Sequence, residues 1–442
     1  MNMTTLAPVH VTSWVLALLF VWCSEKWVCA EEPESDFLHF ETVIVDAAVT
    51  DSYFTVAFDV NNDGRQDIVK SGLGNPGRDL AEIVWYENPA WTKHTICQLN
   101  VPVGLANVDV DGDGFRDLIV SHDYEYCIFG CEADNGRVSW LRNPGGNWAD
   151  STWKRHYIGD LMATHRLRVG SFTEPEAFEI MAFPVTGGVR GDIHAPAQIK
   201  VFTRPRNPLA SERWESTGAL DNQRLLHGET VRKFLAEQGD QSDSVLLASE
   251  AGITWMRYSK ETGWIGKNLS SGELGQVDKS PSRFKGSGDV DVGRLGRTEF
   301  AFLVAQEPFH GTAIALYTRN KKLPFADATW KREIIDIFGE PNARGEGPIH
   351  HLLCGNFDDD TDDEFVVALR GPNESNGVYL YDFTENRKWR RQRLSQFSAS
   401  RLAFADFNGD NLLDIVSVPY VVGTYYRAPE AKVVLLLNKG QR

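Results

Sequence analysis

The chain has 442 residues and is 42% hydrophobic, 24% charged and 11% aromatic, too rich in apolar and aromatic side chains for a disordered chain. Sixty-one acidic against 45 basic side chains give a formal charge of −16, which disfavours phosphate backbones, so no nucleic-acid partner is expected. With 38 glycines and 13 tryptophans it reads as a turn-rich β protein rather than a helical one.

The first thirty residues read as a leader. Trp14 to Trp22 (WVLALLFVW) is an apolar run shorter than the about 20 residues of a membrane span. It is followed by Val28-Cys29-Ala30 and an acidic opening at Glu31-Glu32. This predicts a signal peptide over 1–30 cleaved near Ala30, a mature chain from 31 to 442, and a secreted or vesicle-lumen location. No later segment is long and apolar enough to cross a membrane. Of the remaining cysteines, Cys127 and Cys131 are close enough to staple a loop, and Cys354 sits in an apolar strand as a buried thiol, while the pairing of Cys97 is open. Asn268 and Asn373 begin glycosylation sequons, which fit that route.

An acidic, glycine-marked pattern then recurs. AFDVNNDGRQDIV (57–69), NVDVDGDGFRDLIV (107–120) and ADFNGDNLLDIVSV (405–418) are full copies. Looser copies run from Gly355 to Leu369, Gly288 to Val304 and Gly170 to Phe183, and a seventh lies between Leu225 and Ser249. Their first acidic positions are 59, 109, 171, about 233, 289, 356 and 406. A strand, a turn and a Trp-led strand follow each copy, as in IVWYENPAWTKHTI (83–96). Units of this length with four alternating strands predict an all-β, single seven-bladed β-propeller. FETVIVDAAV (40–49) has no unit of its own and is expected to close the ring by pairing with the truncated last unit, KVVLLLN (432–438).

The acidic turns have the oxygen spacing of calcium loops. Asp59, Asn61, Asp63 and Asp67 occupy positions 1, 3, 5 and 9 around Gly64, and Asp109, Asp111, Asp113 and Asp117 repeat this around Gly114. Asp406, Asn408, Asp410 and Asp414 follow with Asn411 in place of glycine, and Asn356, Asp358, Asp360 and Glu364 form a weaker copy. Gly293 and Arg297 remove the oxygens from the 289 copy, and the 171 copy also lacks them, so no ion is expected in either. Such turns also form without metal, because Asp, Asn and Gly are good turn residues. The loops resemble the calcium-binding turns of FG-GAP/VCBS-type repeats, as in integrin α-subunit propellers. Structural Ca²⁺ is the expected cofactor, with no redox cofactor.

If each innermost strand ends at its acidic turn, residues six positions earlier sit at the other, upper end of the channel. They are Tyr53, Val103, His165, His227, Arg283, His350 and Ser400. One step later come Phe54, Gly104, Arg166, Gly228, Phe284, His351 and Arg401, and the next step includes Glu229. The row with His165, His227, Arg283 and His350 is the candidate site. Long loops carrying Asp123, Tyr124, His194, Tyr420, Tyr425 and Tyr426 should rise around it. Three chemistries suit such a band. Histidines hold a transition metal such as zinc. His with Glu229 works as acid and base. Arg283, Arg401 and His stabilise a developing negative charge. A wet, polar channel without chemistry accounts for the same residues.

The signature WYENP…W…H.I followed by FDVNNDGRQDIV resembles the propeller domain of fungal aldos-2-ulose dehydratases, which carry further cupin domains. A free-standing propeller of this size resembles the fungal hetero-Diels–Alderases of tropolone–sesquiterpenoid biosynthesis. The second resemblance implies loss of water from a tropolone to a quinone methide, which adds a humulene-type alkene. Placement would do most of the work, with Arg or His donors to the tropolone oxygens and Tyr53, Phe54 and Phe284 packing the hydrocarbon. The first implies a lyase that dehydrates an oxidised sugar. A non-catalytic binding or adhesion propeller is the third reading. Small-molecule substrates are the expected partners.

Overall fold

The computed structural model describes residues 37–441 apart from 76–77, 126, 147, 149–151, 275–281, 321, 372–373, 384–387, 423–425 and 429. The chain separates into Met1–Glu34 and one compact body, Ser35–Arg442. The leader, the Asn373 sequon, Tyr425 and the Tyr426 side chain lie outside the described residues. No described helix is long and apolar enough to cross a membrane.

Among the described residues, seven four-stranded antiparallel sheets form the blades of a β-propeller. Innermost strands are Phe54–Phe58, Gly104–Val108, Thr164–Gly170, Gly228–Arg232, Asp289–Leu295, Ile349–Gly355 and Arg401–Ala405, in blades 1 to 7. Each touches the innermost strand of the next blade, and that of blade 7 touches that of blade 1. Blade 7 takes its outer strand from the chain start. Leu38–Asp46 pairs antiparallel with Val433–Gln441, so the ring closes as the unpaired first strand required.

The repeated motif is a bracket between blades. The ninth-position acids turn inward and cap backbone amides. Asp67 accepts from Val60 N and Asn88 N at 2.9 Å each, Asp117 from Val110 N and Asn143 N at 2.8 Å, and Asp414 from Phe407 N and Asn438 N at 2.8 Å. Each of those asparagines then donates its side-chain amide to the preceding blade. Asn88 reaches Phe407 O (2.7 Å), Asn143 reaches Val60 O (2.8 Å) and Asn438 reaches Phe357 O (2.7 Å). This explains why Asn follows the strand in WYENP, WLRNP and LLLNK. Burial, reinforced by nearby loop carboxylates, lifts Asp67 and Asp117 to about 7.

The other loop acids shape the turns. Asp59 accepts from Gly64 N (2.8 Å) and Asp406 from Asn411 N (2.9 Å), and Asn411 takes the left-handed φ of 68° that glycine takes elsewhere. In the second loop Arg142 pairs with Asp111 (2.5 Å) and Asp113 (3.0 Å). Oxygens of Asp109, Asp111 and Asp117 come within 4.8 Å of one another, as do those of Asp358, Glu364 and Asp382. Asp63, Asn61 and Asp410, Asn408 supply further Asx-type bonds within their turns. Cys127 and Cys131 form a disulfide, while Cys97 is a buried free thiol and Cys354 a half-buried one.

Candidate active site

The innermost strands deliver their first residues to one end of the channel. Tyr53, His165, His227 and His350 are all buried there, at 4, 4, 1 and 0% exposure. Tyr53 Oη lies 2.8 Å from His165 Nε2. The Arg166 guanidinium donates to His165 Nε2 (3.1 Å), Tyr53 Oη (3.3 Å) and His227 Nε2 (3.3 Å).

A residue that strand spacing could not reveal completes the cluster. Blade 5 has Gly288 where its neighbours carry histidine. A Cβ there would stand 2.9 Å from His310 N and 3.1 Å from Phe309 Cα. The missing side chain lets the turn after Thr298–Glu307 enter the channel, with His310 at a left-handed φ of 48°. His310 Nε2 then lies 3.2 Å from His227 Nε2. One nitrogen from each of His227, His310 and His350 lies within 4.8 Å of the other two.

The protons on two of these rings are fixed from behind. His227 Nδ1 faces Gly288 O at 2.9 Å and His350 Nδ1 faces Ser400 O at 2.8 Å. A carbonyl only accepts, so Nδ1 carries the proton and Nε2 of each neutral ring is a lone pair. Glu346 Oε1 lies 3.9 Å from His310 Nδ1, beyond hydrogen-bond reach, so that ring's proton is not fixed from behind. The His350 Nε2 atom has no partner among the described residues. Burial, with the Arg166 and Arg370 cations second, pushes His227 and His350 well below the usual imidazole range and His310 to about 4. Three imidazoles, kept neutral by their surroundings, thus bring one nitrogen each to one small space. A tetrahedral zinc with Zn–N of about 2.0–2.1 Å separates its nitrogens by about 3.3 Å, close to the 3.2 Å between His227 and His310. Held by these three, a divalent ion would keep a coordination position open.

His165 differs from the other three. Its Nε2 accepts from Arg166 and its Nδ1 is buried without a partner among the described residues. It lines a pocket of about 510 Å³, measured out to solvent, together with His227 and His310. Tyr124 and Tyr420 from the upper loops line it too, as those loops were expected to do.

The remaining candidates fall into other places. Phe54 lies one layer away, its ring centroid 5.3 Å from Arg166 Cζ and 5.1 Å from Arg401 Cζ. Glu229 is fully buried and lifted to about 7 by burial, with Arg168 3.4 Å away, and is not among the pocket-lining residues. His351 Nδ1 accepts from Leu402 N at 3.1 Å. Arg283 is not in the channel but exposed, and this corrects the sequence register. Asp289 begins the innermost strand of blade 5 instead of ending it, because that blade keeps no acidic turn to count from. Phe284 consequently packs behind the site, on Phe309 at 4.8 Å between centroids. His194 bridges Glu250 (2.9 Å) and Ser282 O (3.1 Å). Sequence spacing missed His310 entirely. The only trace of it was a Pro-Phe-His-Gly turn following a strand, beside a glycine at the row position.

Residues 135–320 match the family described as aldos-2-ulose dehydratase, beta-propeller domain. Over 433 residues the chain is 28% identical to an aldos-2-ulose dehydratase of Phanerodontia chrysosporium, covering 93% of this chain and 47% of the relative. The chain resembles the propeller domain of that dehydratase. It spans about half the length of this curated relative. The crystal structure of BBS1N in complex with ARL6DN, soaked with lead, aligns with a TM-score of 0.50 and 11% identity over 92% of this chain and all of that one. The same complex soaked with mercury gives 0.50 and 10% over 91% and 97%. At such identities the likeness is one of fold alone. The dehydratase resemblance is supported by these similarities, and the hetero-Diels–Alderase resemblance draws no support from them.

Proposed function

We propose that this propeller is a lyase that removes water from a hydroxy ketone of the oxidised-sugar kind, at a metal centre held by His227, His310 and His350. The observation that carries the reading is the convergence of three buried imidazoles, two of them with the far nitrogen bonded to a backbone carbonyl. Similarity to an aldos-2-ulose dehydratase supports the reaction class. A reaction driven by placement alone needs no such ligand set, so water elimination is favoured over cycloaddition.

His227, His310 and His350 would hold a divalent ion, which when bound would supply Lewis-acid polarisation of a ketone oxygen. The chain's own groups do the rest. Arg166, buried behind His165 and His227, holds those rings and adds positive charge near the oxygen where negative charge develops. His165, kept neutral by burial and by the Arg166 cation, takes the proton from the carbon next to the ketone. It returns that proton to the hydroxyl one carbon further on. The C–H and C–O bonds break, a C=C bond forms, and the hydroxyl leaves as water.

The experiment is to incubate the zinc-loaded chain with a β-hydroxy ketone and follow the near-ultraviolet absorption of the conjugated enone. Metal-dependent enone formation supports the reading. No enone from any sugar-derived or simple β-hydroxy ketone contradicts it. Calcium in the turns at Asp59 and Asp109 is a separate proposal with a structural role. Melting that rises on adding calcium, less so in Asp59→Ala and no longer when Asp109→Ala is added, supports it, and melting unmoved by calcium contradicts it.

A further inference from the structure

The pocket over the imidazoles is two-faced, and its division follows the blades. His165, His227 and His310 reach it from blades 3, 4 and 5. The opposite side, from blades 7, 1 and 2, is built of Val422, Leu73, Val103 and Ile128, with the rings of Tyr420, Tyr53 and Tyr124. Val103 stands in the same strand-start row as His165 and His227, so the change from imidazole to isopropyl occurs within one structural position. Ile128 comes from the four-residue helix Cys127–Gly130, which the Cys127–Cys131 disulfide spans.

This apolar side offers little to a polyol. The Tyr53 hydroxyl is already engaged by His165 and Arg166. Glu125 is the one carboxylate among the described lining residues, and its Oε1 accepts from Asn100 at 2.6 Å. A substrate with a hydroxyl on every carbon would leave several of them desolvated against Leu73, Val103, Ile128 and Val422 without partners, which costs affinity at each one. A hydrocarbon group there buries apolar surface on both sides.

We infer that the substrate is amphipathic: a hydroxy ketone whose carbonyl end faces blades 3 to 5 and whose far end is hydrocarbon, as in a deoxygenated, alkylated or arylated sugar-derived ketone. The inference rests on the elimination reading for the orientation of the carbonyl, and it narrows the substrate class beyond that of a free oxidised sugar.

The test uses two inert ketones of matched size, propylcyclohexanone and dihydroxypropylcyclohexanone, neither with a hydroxyl placed for elimination. Their binding to the zinc-loaded chain is measured by calorimetry. The propyl ketone is expected to bind at least about tenfold more tightly, as two to three buried methylenes provide. Ile128→Ser and Val422→Ser, read separately, are expected to narrow that ratio by several-fold while leaving the zinc content unchanged. Equal binding, tighter binding of the diol, or no detectable binding of either overturns the inference. Turnover is a separate readout. Tight binding of the propyl ketone, together with failure to dehydrate a hydrocarbon-bearing β-hydroxy ketone, overturns the reaction and leaves the pocket's preference standing.

Discussion

The Nε2 atoms of His227 and His310 lie 3.2 Å apart, although one ring comes from the start of a strand and the other from a turn in the next blade. His227 Nδ1 donates to Gly288 O, so its Nε2 presents a lone pair to His310, which a proton on His310 Nε2 or a cation between the rings satisfies.

The turn carrying His310 depends on Gly288. In Gly288→Ala the new methyl meets His310 N and Phe309 Cα at 2.9 and 3.1 Å, both backbone, so the turn has to move. We expect a loss of stability of about 1–3 kcal/mol and a loss of zinc affinity of at least about tenfold. Zinc titration and thermal melting check this, and an unchanged zinc affinity would mean that the turn relaxes without moving the ring.

His165 is expected to act on substrate without holding metal. In His165→Gln, kcat for enone formation should fall by about 10²–10⁴ with zinc content and melting temperature preserved. Metal analysis run beside the kinetics separates this from a ligand's loss. A variant that loses its zinc together with its activity would place His165 among the ligands.

The blade brackets predict a ranking of acidic substitutions within one loop. Asp117 caps two buried amides, so Asp117→Ala should cost about 2–4 kcal/mol. Asp113, paired at the surface with Arg142, should cost about 1 kcal/mol or less. Urea melts of the two variants in chelator decide the order, and a reversed order contradicts the bracket.

Acid should loosen the pocket's rim through Asp123. Its carboxyl is held at about 2, chiefly by His122, whose Nδ1 is 3.2 Å away, with Asn100 and Arg137 adding to the effect. A carboxyl whose pKa falls on folding adds stability above its unfolded value, 3.8, and loses it as the pH falls through its folded value. Between pH 4 and pH 2 the wild-type chain should therefore lose more stability than Asp123→Asn. Parallel curves for the two over that window would show that Asp123 contributes nothing.

Much of this architecture is legible in the sequence because each blade repeats one constraint. The acid that caps two amides and the asparagine that bonds the preceding blade must recur in register, and that register places Tyr53, His165, His227 and His350 at one end of the channel. It fails in blade 5. There Asp289 opens the strand, so counting back from it selects the exposed Arg283 in place of Gly288. His310 is invisible to the same reasoning because it belongs to a turn, and turns carry no period. The apolar side of the pocket is equally hidden, since Leu73, Ile128 and Val422 come from three loops of unrelated length.

The measurement that tests the central claim most directly is the transition-metal content of the purified chain, beside that of His310→Ala, after zinc loading and mild chelator washing. Close to one zinc per wild-type chain and almost none in the variant are expected, with the β-sheet circular dichroism of both unchanged. A wild-type chain that holds no transition metal, or a variant that holds as much as the wild type, would contradict it.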